Sequence, residues 1–254
     1  MGHTRSRATR RLIIAGMALA AVLVLAFTGF VLTRQPAPVA ASKVIPTGKP
    51  IKAAFVPQLL VLGDSFTGGS DMGGFKDDGW PALVQSGYTK DGARLQLNLL
   101  GRGGAGYVTK GIIHETFGQS YAGNAFEDQD VVVVFGGLND ASAPADTVGT
   151  AAGQLYAAML KNSPNAKLIV VGPAWPNDTP IPNMFDVRDA IKAAALHAGA
   201  TFIDPIAEGW FTGEDTKLIG RDNTHPTDAG HAYMAKKLSK PILDAVAKSA
   251  AANK

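Results

Sequence analysis

The 254-residue sequence contains no cysteine. That excludes disulfides, a cysteine nucleophile and any thiolate metal site, and leaves the compartment open. Acidic residues are missing from the first 34 positions, which hold five of the 24 lysines and arginines: Arg5, Arg7, Arg10, Arg11 and Arg34. The formal charge of +3 comes from this segment, because the remainder carries 19 basic against 21 acidic residues, net −2. No electrostatic footprint for nucleic acid is left in that remainder, and no nucleic-acid partner is expected. A phosphate loop is also lacking: Gly68–Gly79 (GGSDMGGFKDDG) is rich in glycine but does not contain G-x-x-x-x-G-K-[ST]. No internal repeat is visible, and nothing marks a second globular domain.

What is present begins with an uncharged run behind the arginines, Leu12–Leu32 (LIIAGMALAAVLVLAFTGFVL). As a helix at ~1.5 Å per residue it covers about 31 Å, the thickness of a bilayer's hydrocarbon core. The run is longer than the usual apolar region of a cleaved signal peptide, although Pro38-Val39-Ala40-Ala41 supplies small residues where cleavage could fall. The expectation is residues 1–32 as a basic segment and membrane anchor, or alternatively a removed signal. The positive-inside rule keeps the N-terminus cytoplasmic and everything after Leu32 outside. Residues 33–57 carry Pro36, Pro38, Pro46, Pro50 and Pro57 and read as a proline-stiffened linker. Residues 58–254 form the domain.

Within 58–254, apolar runs alternate with helical patterns. Strands are expected at Leu59–Leu62, Arg94–Leu100, Asp130–Phe135, Lys167–Val171 and Thr201–Ile203. Helices are expected near Trp80–Ser86, Thr147–Lys161, Met184–His197 and Thr227–Lys248, the last kinked or restarted by Pro241. This alternation predicts a doubly wound, mostly parallel five-stranded sheet with helices on both faces, a three-layer α/β/α sandwich. Gly68–Gly79, Arg102–Asn124 and Pro173–Pro182 are long for simple connections and read as functional loops.

Chemistry in such sheets gathers at the carboxyl ends of the strands. After QLLVL come Gly63-Asp64-Ser65-Phe66, which place a hydroxyl at the end of the first strand. Serine is a weak nucleophile until a base takes its proton, and the oxyanion it generates needs hydrogen-bond donors. Asp222-Asn223-Thr224-His225 supplies a base with a carboxylate three residues earlier, able to reach Nδ1 and leave Nε2 for the serine. After VVVVF, Gly137-Leu138-Asn139-Asp140 places a side-chain amide at the third strand end. Gly101–Tyr107 (GRGGAGY) forms a turn able to expose backbone N–H groups after the second.

GDSF at 63–66, GRGGAGY at 101–107, GLND at 137–140 and DNTHPTDAGH at 222–231, in that order, resemble the SGNH hydrolase superfamily, or GDSL esterase/lipase family. The resemblance spans about Gln58–Lys248. It implies a flavodoxin-like fold, Ser65 as nucleophile, His225 as general base and Asp222 orienting it. It also implies an oxyanion hole of the Ser65 N–H, the Gly104 N–H and the Asn139 amide, with Gly103 or Gly101 as alternatives to Gly104. Phe66 stands where the family name has leucine. The G-x-S-x-G elbow of α/β-hydrolases is absent.

Each of these residues also has a local reading. Ser65 suits a helix N-cap, His225 a structural histidine, Asp222 a turn, and Asn139-Asp140 an Asx turn, the reading preferred for Asp140. His231, six residues after His225, does not join it and Asp222 as a metal site, because residues at i and i+6 do not share a helix face. Trp175 and Trp210 either line a substrate groove or pack. The expected activity is an extracytoplasmic serine esterase acting on carbohydrate- or lipid-linked acyl groups through an acyl-enzyme, with no cofactor and no metal. An acyltransferase acting on envelope glycans or lipids and a non-catalytic envelope-binding domain are the alternatives. Acyl length, the alcohol half and oligomeric state are not legible.

Overall fold

The structure, a computed structural model, describes residues 55–252 apart from 91 and 125. The apolar run Leu12–Leu32 and the linker up to residue 54 lie outside the described residues. Along the chain the elements are β1 Gln58–Gly63, α1 Ser65–Gly68, α2 Trp80–Thr89, β2 Gln96–Gly101, α3 Phe117–Asn124 and β3 Val131–Phe135. They continue as α4 Ala145–Asn162, β4 Lys167–Val171, α5 Pro182–His197, β5 Thr201–Ile203 and α6 Asp228–Ala252. The five strands form one all-parallel sheet in the order β2-β1-β3-β4-β5.

Beyond Gln58 and Lys167 at their starts, the central strands β1, β3 and β4 are apolar because both their faces are covered. Leu60 and Leu62 of β1, Val132 and Val134 of β3, and Leu168 and Val170 of β4 face one layer. There they meet Val148, Leu155 and Tyr156 of α4 and Met184, Val187 and Ile191 of α5. The alternate residues Leu59, Val61, Val131, Val133, Ile169 and Val171 face the other layer, with Trp80 and Val84 of α2 and Met234, Leu238 and Ile242 of α6. Period-two alternation in the strands thus separates two cores.

All five predicted strands and four predicted helices are present, with ends shifted by a few residues. Two helices were not predicted. In α1 the chain makes a single turn directly after β1. In α3 two glycines blur the pattern, yet Thr116 and Gln119 form a reciprocal cap: the Thr116 N–H donates to Gln119 Oε1 at 3.0 Å, and the Gln119 N–H donates to Thr116 Oγ1 at 3.3 Å. This T-x-x-Q signature was legible in the sequence. Helix α6 runs as one element through Pro241, where a kink or a restart was expected.

Strand order decides where the site lies. Moving from β1, the chain goes outward to β2 and then crosses back to β3 on the other side of β1. A crevice opens at the carboxyl ends of these strands, where the direction of winding reverses.

Candidate active site

Ser65 follows β1 directly, and its neighbour Asp64 takes the role of helix cap. The Asp64 carboxylate accepts from the Phe66 N–H at 2.9 Å, and its carbonyl accepts from Thr67 and Gly68. Since Asp64 caps the turn, the Ser65 hydroxyl is left for another partner. A second requirement is close approach of backbone. A Cβ on Gly101, at the end of β2, would lie 2.5 Å from the Gly68 Cα, so only glycine lets α1 seat against that strand end.

The partner is His225, whose Nε2 lies 2.9 Å from Ser65 Oγ across 160 residues of sequence. His225 Nδ1 lies 2.7 Å from Asp222 Oδ2. The other oxygen, Asp222 Oδ1, accepts from the Thr224 and His225 N–H groups, each at 3.0 Å. These bonds, the His225 N–H first, hold the Asp222 carboxyl at about 2, below the usual carboxylate range. Asn223 takes a left-handed φ of 56° to close the turn. The loop is pinned where Gly220 N–H donates to the His225 carbonyl at 2.8 Å and Thr227 N–H donates to the Leu218 carbonyl at 2.8 Å. Phe66, buried among Phe135 and Phe211, also packs against the His225 ring, with centroids 6.3 Å apart.

Asn139 comes from a short turn, Leu138–Asp140, just after β3. Its Nδ2 donates to the Ala105 carbonyl at 2.8 Å and, at a longer 3.3 Å, to Asp64 Oδ2. In the glycine turn, the N–H groups of Arg102, Ala105 and Gly106 donate to the carbonyls of Gly63, Arg102 and Thr109. Among the described residues the N–H groups of Gly103 and Gly104 have no such partner, and Gly104 adopts φ +72°. Ser65, Gly103, Gly104, Asn139, Asp222 and His225 all line one cleft of about 750 Å³.

Asp140 is not an Asx turn. Its carboxylate is fully buried and accepts three N–H groups, from Tyr107 at 2.8 Å, Val108 at 3.1 Å and Thr109 at 2.9 Å, each more than 30 residues upstream. It ties the glycine turn to the end of β3. Asp64 is buried to 1% exposure beside Ser65. Burial pushes its carboxyl up to about 7, and the nearby Asp140 charge adds to the effect. Neither role has a signal in the local sequence.

Two of the three long loops reach the cleft. Gly69, Ser70, Asp71, Met72 and Phe75 form one wall, and Ile112 lies on the other. Pro173–Pro182 contributes nothing to this cleft; Asp178 instead accepts from the Gly213 N–H at 2.9 Å. Both tryptophans pack. Trp210 is buried edge-on to Phe135, and Trp175 lies partly buried against the core around α4 and α5. His231 sits buried in α6 with Nδ1 facing the Trp80 N–H at 3.4 Å, and burial lowers it to about 4.

Comparison with known proteins identifies the family. Residues 61–233 match the GDSL-like lipase/acylhydrolase family. The chain is 36% identical over 189 residues to GDSL lipase Rv0518 of Mycobacterium tuberculosis, covering 73% of this chain and 80% of that one. Among solved structures, a putative arylesterase from Agrobacterium tumefaciens superposes with a TM-score of 0.57 at 18% identity, covering 74% of this chain and 99% of that one. A lipase/acylhydrolase from Enterococcus faecalis gives 0.59 at 15% identity, covering 74% and 95%. The carbohydrate acetylesterase Est24 from Sinorhizobium meliloti gives 0.57 at 16%, covering 74% and 99%. At these identities the structural likeness shows the fold. The family match and the curated relative carry the rest: this chain belongs to the GDSL-like lipase/acylhydrolase family and is an SGNH-type ester hydrolase.

Proposed function

We propose that the chain hydrolyses oxygen esters outside the cytoplasm through a covalent acyl-serine, with Ser65 as nucleophile, His225 as general base and Asp222 as its orienting acid. The observation that carries this reading is the continuous contact Asp222–His225–Ser65, at 2.7 and 2.9 Å, opening onto a cleft. His225 Nε2 takes the proton from Ser65 Oγ as Oγ bonds to the ester carbonyl carbon. The carbonyl π pair moves onto oxygen, and the oxyanion is met by the N–H groups of Ser65 and Gly104 and by the Asn139 amide. On collapse the C–O bond to the alcohol breaks, and the departing oxygen takes the proton from Nε2. Water then repeats the sequence on the acyl-serine, releasing the carboxylic acid and restoring Ser65.

Asp222 does not need to accept the proton. Held at about 2, it stays ionised and stabilises the imidazolium as that charge forms. The extracytoplasmic location rests on the arginine cluster and the apolar run Leu12–Leu32. For the acyl half, the cleft offers an apolar wall: Met72, Phe75 and Ile112, the last two 54% and 82% exposed. Side chains of this kind at a cleft mouth favour acyl chains longer than acetyl.

The test is direct. Ser65→Ala and His225→Ala should each lower p-nitrophenyl ester turnover by at least about 10³-fold with the thermal midpoint little changed, and the double variant should lose little more. A serine-reactive phosphonate should label the wild type at Ser65 and leave Ser65→Ala unlabelled. Wild-type turnover in folded Ser65→Ala would refute the assignment.

A further inference from the structure

Asp64 has two carboxylate oxygens, and the fold uses them on different strand ends. One accepts from the Phe66 N–H at 2.9 Å, inside the turn that carries Ser65. The other faces Asn139 Nδ2 at 3.3 Å, on the turn after β3. The group is buried, and the space around it is set by glycine: a Cβ on Gly136 would lie 2.6 Å from the Phe117 ring and 3.5 Å from Asp64 Oδ2.

We propose that Asp64 is a positioning residue for the oxyanion site, fixing the plane of the Asn139 amide relative to Ser65. The proposal rests on the reading of Asn139 as an oxyanion donor. A primary amide can present either its oxygen or its NH₂ group to the same point, and acceptors around it decide which. Ala105 O, at 2.8 Å, and Asp64 Oδ2 both accept from Nδ2 and together hold the nitrogen toward the cleft. The contact to Asp64 is the longer of the two, so its hydrogen is the one that can be shared with an oxyanion as charge develops there. Without Asp64 only the Ala105 carbonyl opposes a turn of the amide that brings its oxygen toward the cleft, where it repels that charge.

Asp64→Asn tests this with little change of shape. The new side-chain oxygen can still accept from the Phe66 N–H, which leaves an NH₂ group facing Asn139 Nδ2 and drives the Asn139 amide to flip. The expected result is a loss in kcat of about 10- to 100-fold with KM within about threefold, because the oxyanion forms only in the transition state. The deciding measurement is a double-mutant cycle. Asn139→Ala alone should cost ~10²–10³ in kcat, and adding Asp64→Asn to it should cost less than about twofold more. An equal loss from Asp64→Asn in both backgrounds overturns the proposal, since Asp64 would then act on the Ser65 turn. Unchanged kcat in Asn139→Ala alone overturns the donor role of Asn139, and the proposal with it. Should Asp64→Asn fail to fold, Asp64→Ser serves in the same cycle: serine still caps the Phe66 N–H but is too short to reach Asn139.

Discussion

A serine hydroxyl keeps its proton at any physiological pH, so what Ser65 can do is set by the groups within reach of it. His225 and Asp222 were legible from type and spacing, since a carboxylate three residues before a histidine can bend back to Nδ1. Asp64 and Asp140 were not, because a buried aspartate has no local signature; what buries it comes from other elements. Asp64 carries a consequence for pH. Its carboxyl has an ordinary value of 3.8 and stands at about 7 in the folded chain. Between these limits the folded state keeps a proton that the unfolded chain has lost. The stability owed to neutral Asp64 is therefore fully present below about 4, falls as pH rises, and is gone above about 7. Asp64→Asn cannot ionise. The thermal midpoint of the variant minus that of the wild type should rise by roughly 5 °C between pH 4.5 and pH 8, as followed by circular dichroism. A pH-independent difference would show that Asp64 titrates normally.

At the scale of the element, two loops shape what the strand ends present. The loop Gly69–Gly79 is pinned where the Gly74 N–H donates to Asp228 Oδ1 at 2.8 Å, and Gly74 sits against the buried His231 ring. Gly74 has φ +80°, and a Cβ there would lie 2.0 Å from His231 Nε2. Gly74→Ala should cost about 2–4 kcal/mol in urea unfolding, combining backbone strain with overpacking. Loss of less than about 1 kcal/mol would mean that the loop moves freely off α6. Across the cleft, Ile112 is held where its N–H donates to the Gly103 carbonyl at 2.9 Å. Each methylene fully buried is worth about 0.8 kcal/mol, and an open cleft delivers a fraction of that. On p-nitrophenyl esters, kcat/KM should climb about tenfold from acetyl to hexanoyl, and Ile112→Ser should flatten the climb. A wild-type series that falls from acetyl onward would remove the apolar wall from the reading and leave the triad untouched.

On the scale of the whole molecule, the parallel sheet separates the chain's entry from its chemistry. Strand β1 begins at Gln58, and Ser65 lies just past its carboxyl end. A strand of this length spans roughly 20 Å, so the cleft opens at the end of the sheet opposite Gln58. If Leu12–Leu32 anchors the protein, full-length chain should partition with membranes. Protease applied outside wall-stripped cells should then release an active fragment of about 200 residues. Protein recovered mainly from the medium, beginning near Ala41, would show a cleaved signal instead, with the esterase reading unaffected.

Taken by itself, the sequence determined the fold class, the order of the five strands and of four of the six helices, and the identity of the nucleophile, base and amide candidates. Each of these depends on short-range information: hydrophobic period, glycine placement and residue type after a strand. Only the tertiary structure decided how the site is held. Ser65 Oγ meets His225 Nε2 because β1 and the loop before α6 end on the same side of the sheet. Asp140 reaches back to the amides of Tyr107, Val108 and Thr109 because β3 lies beside β1, bringing its turn against the loop that follows β2. The same arrangement left Trp175 and Trp210 in packing and Pro173–Pro182 outside the cleft. Such contacts join residues tens to hundreds of positions apart, and they exist only once the sheet has brought its strand ends together.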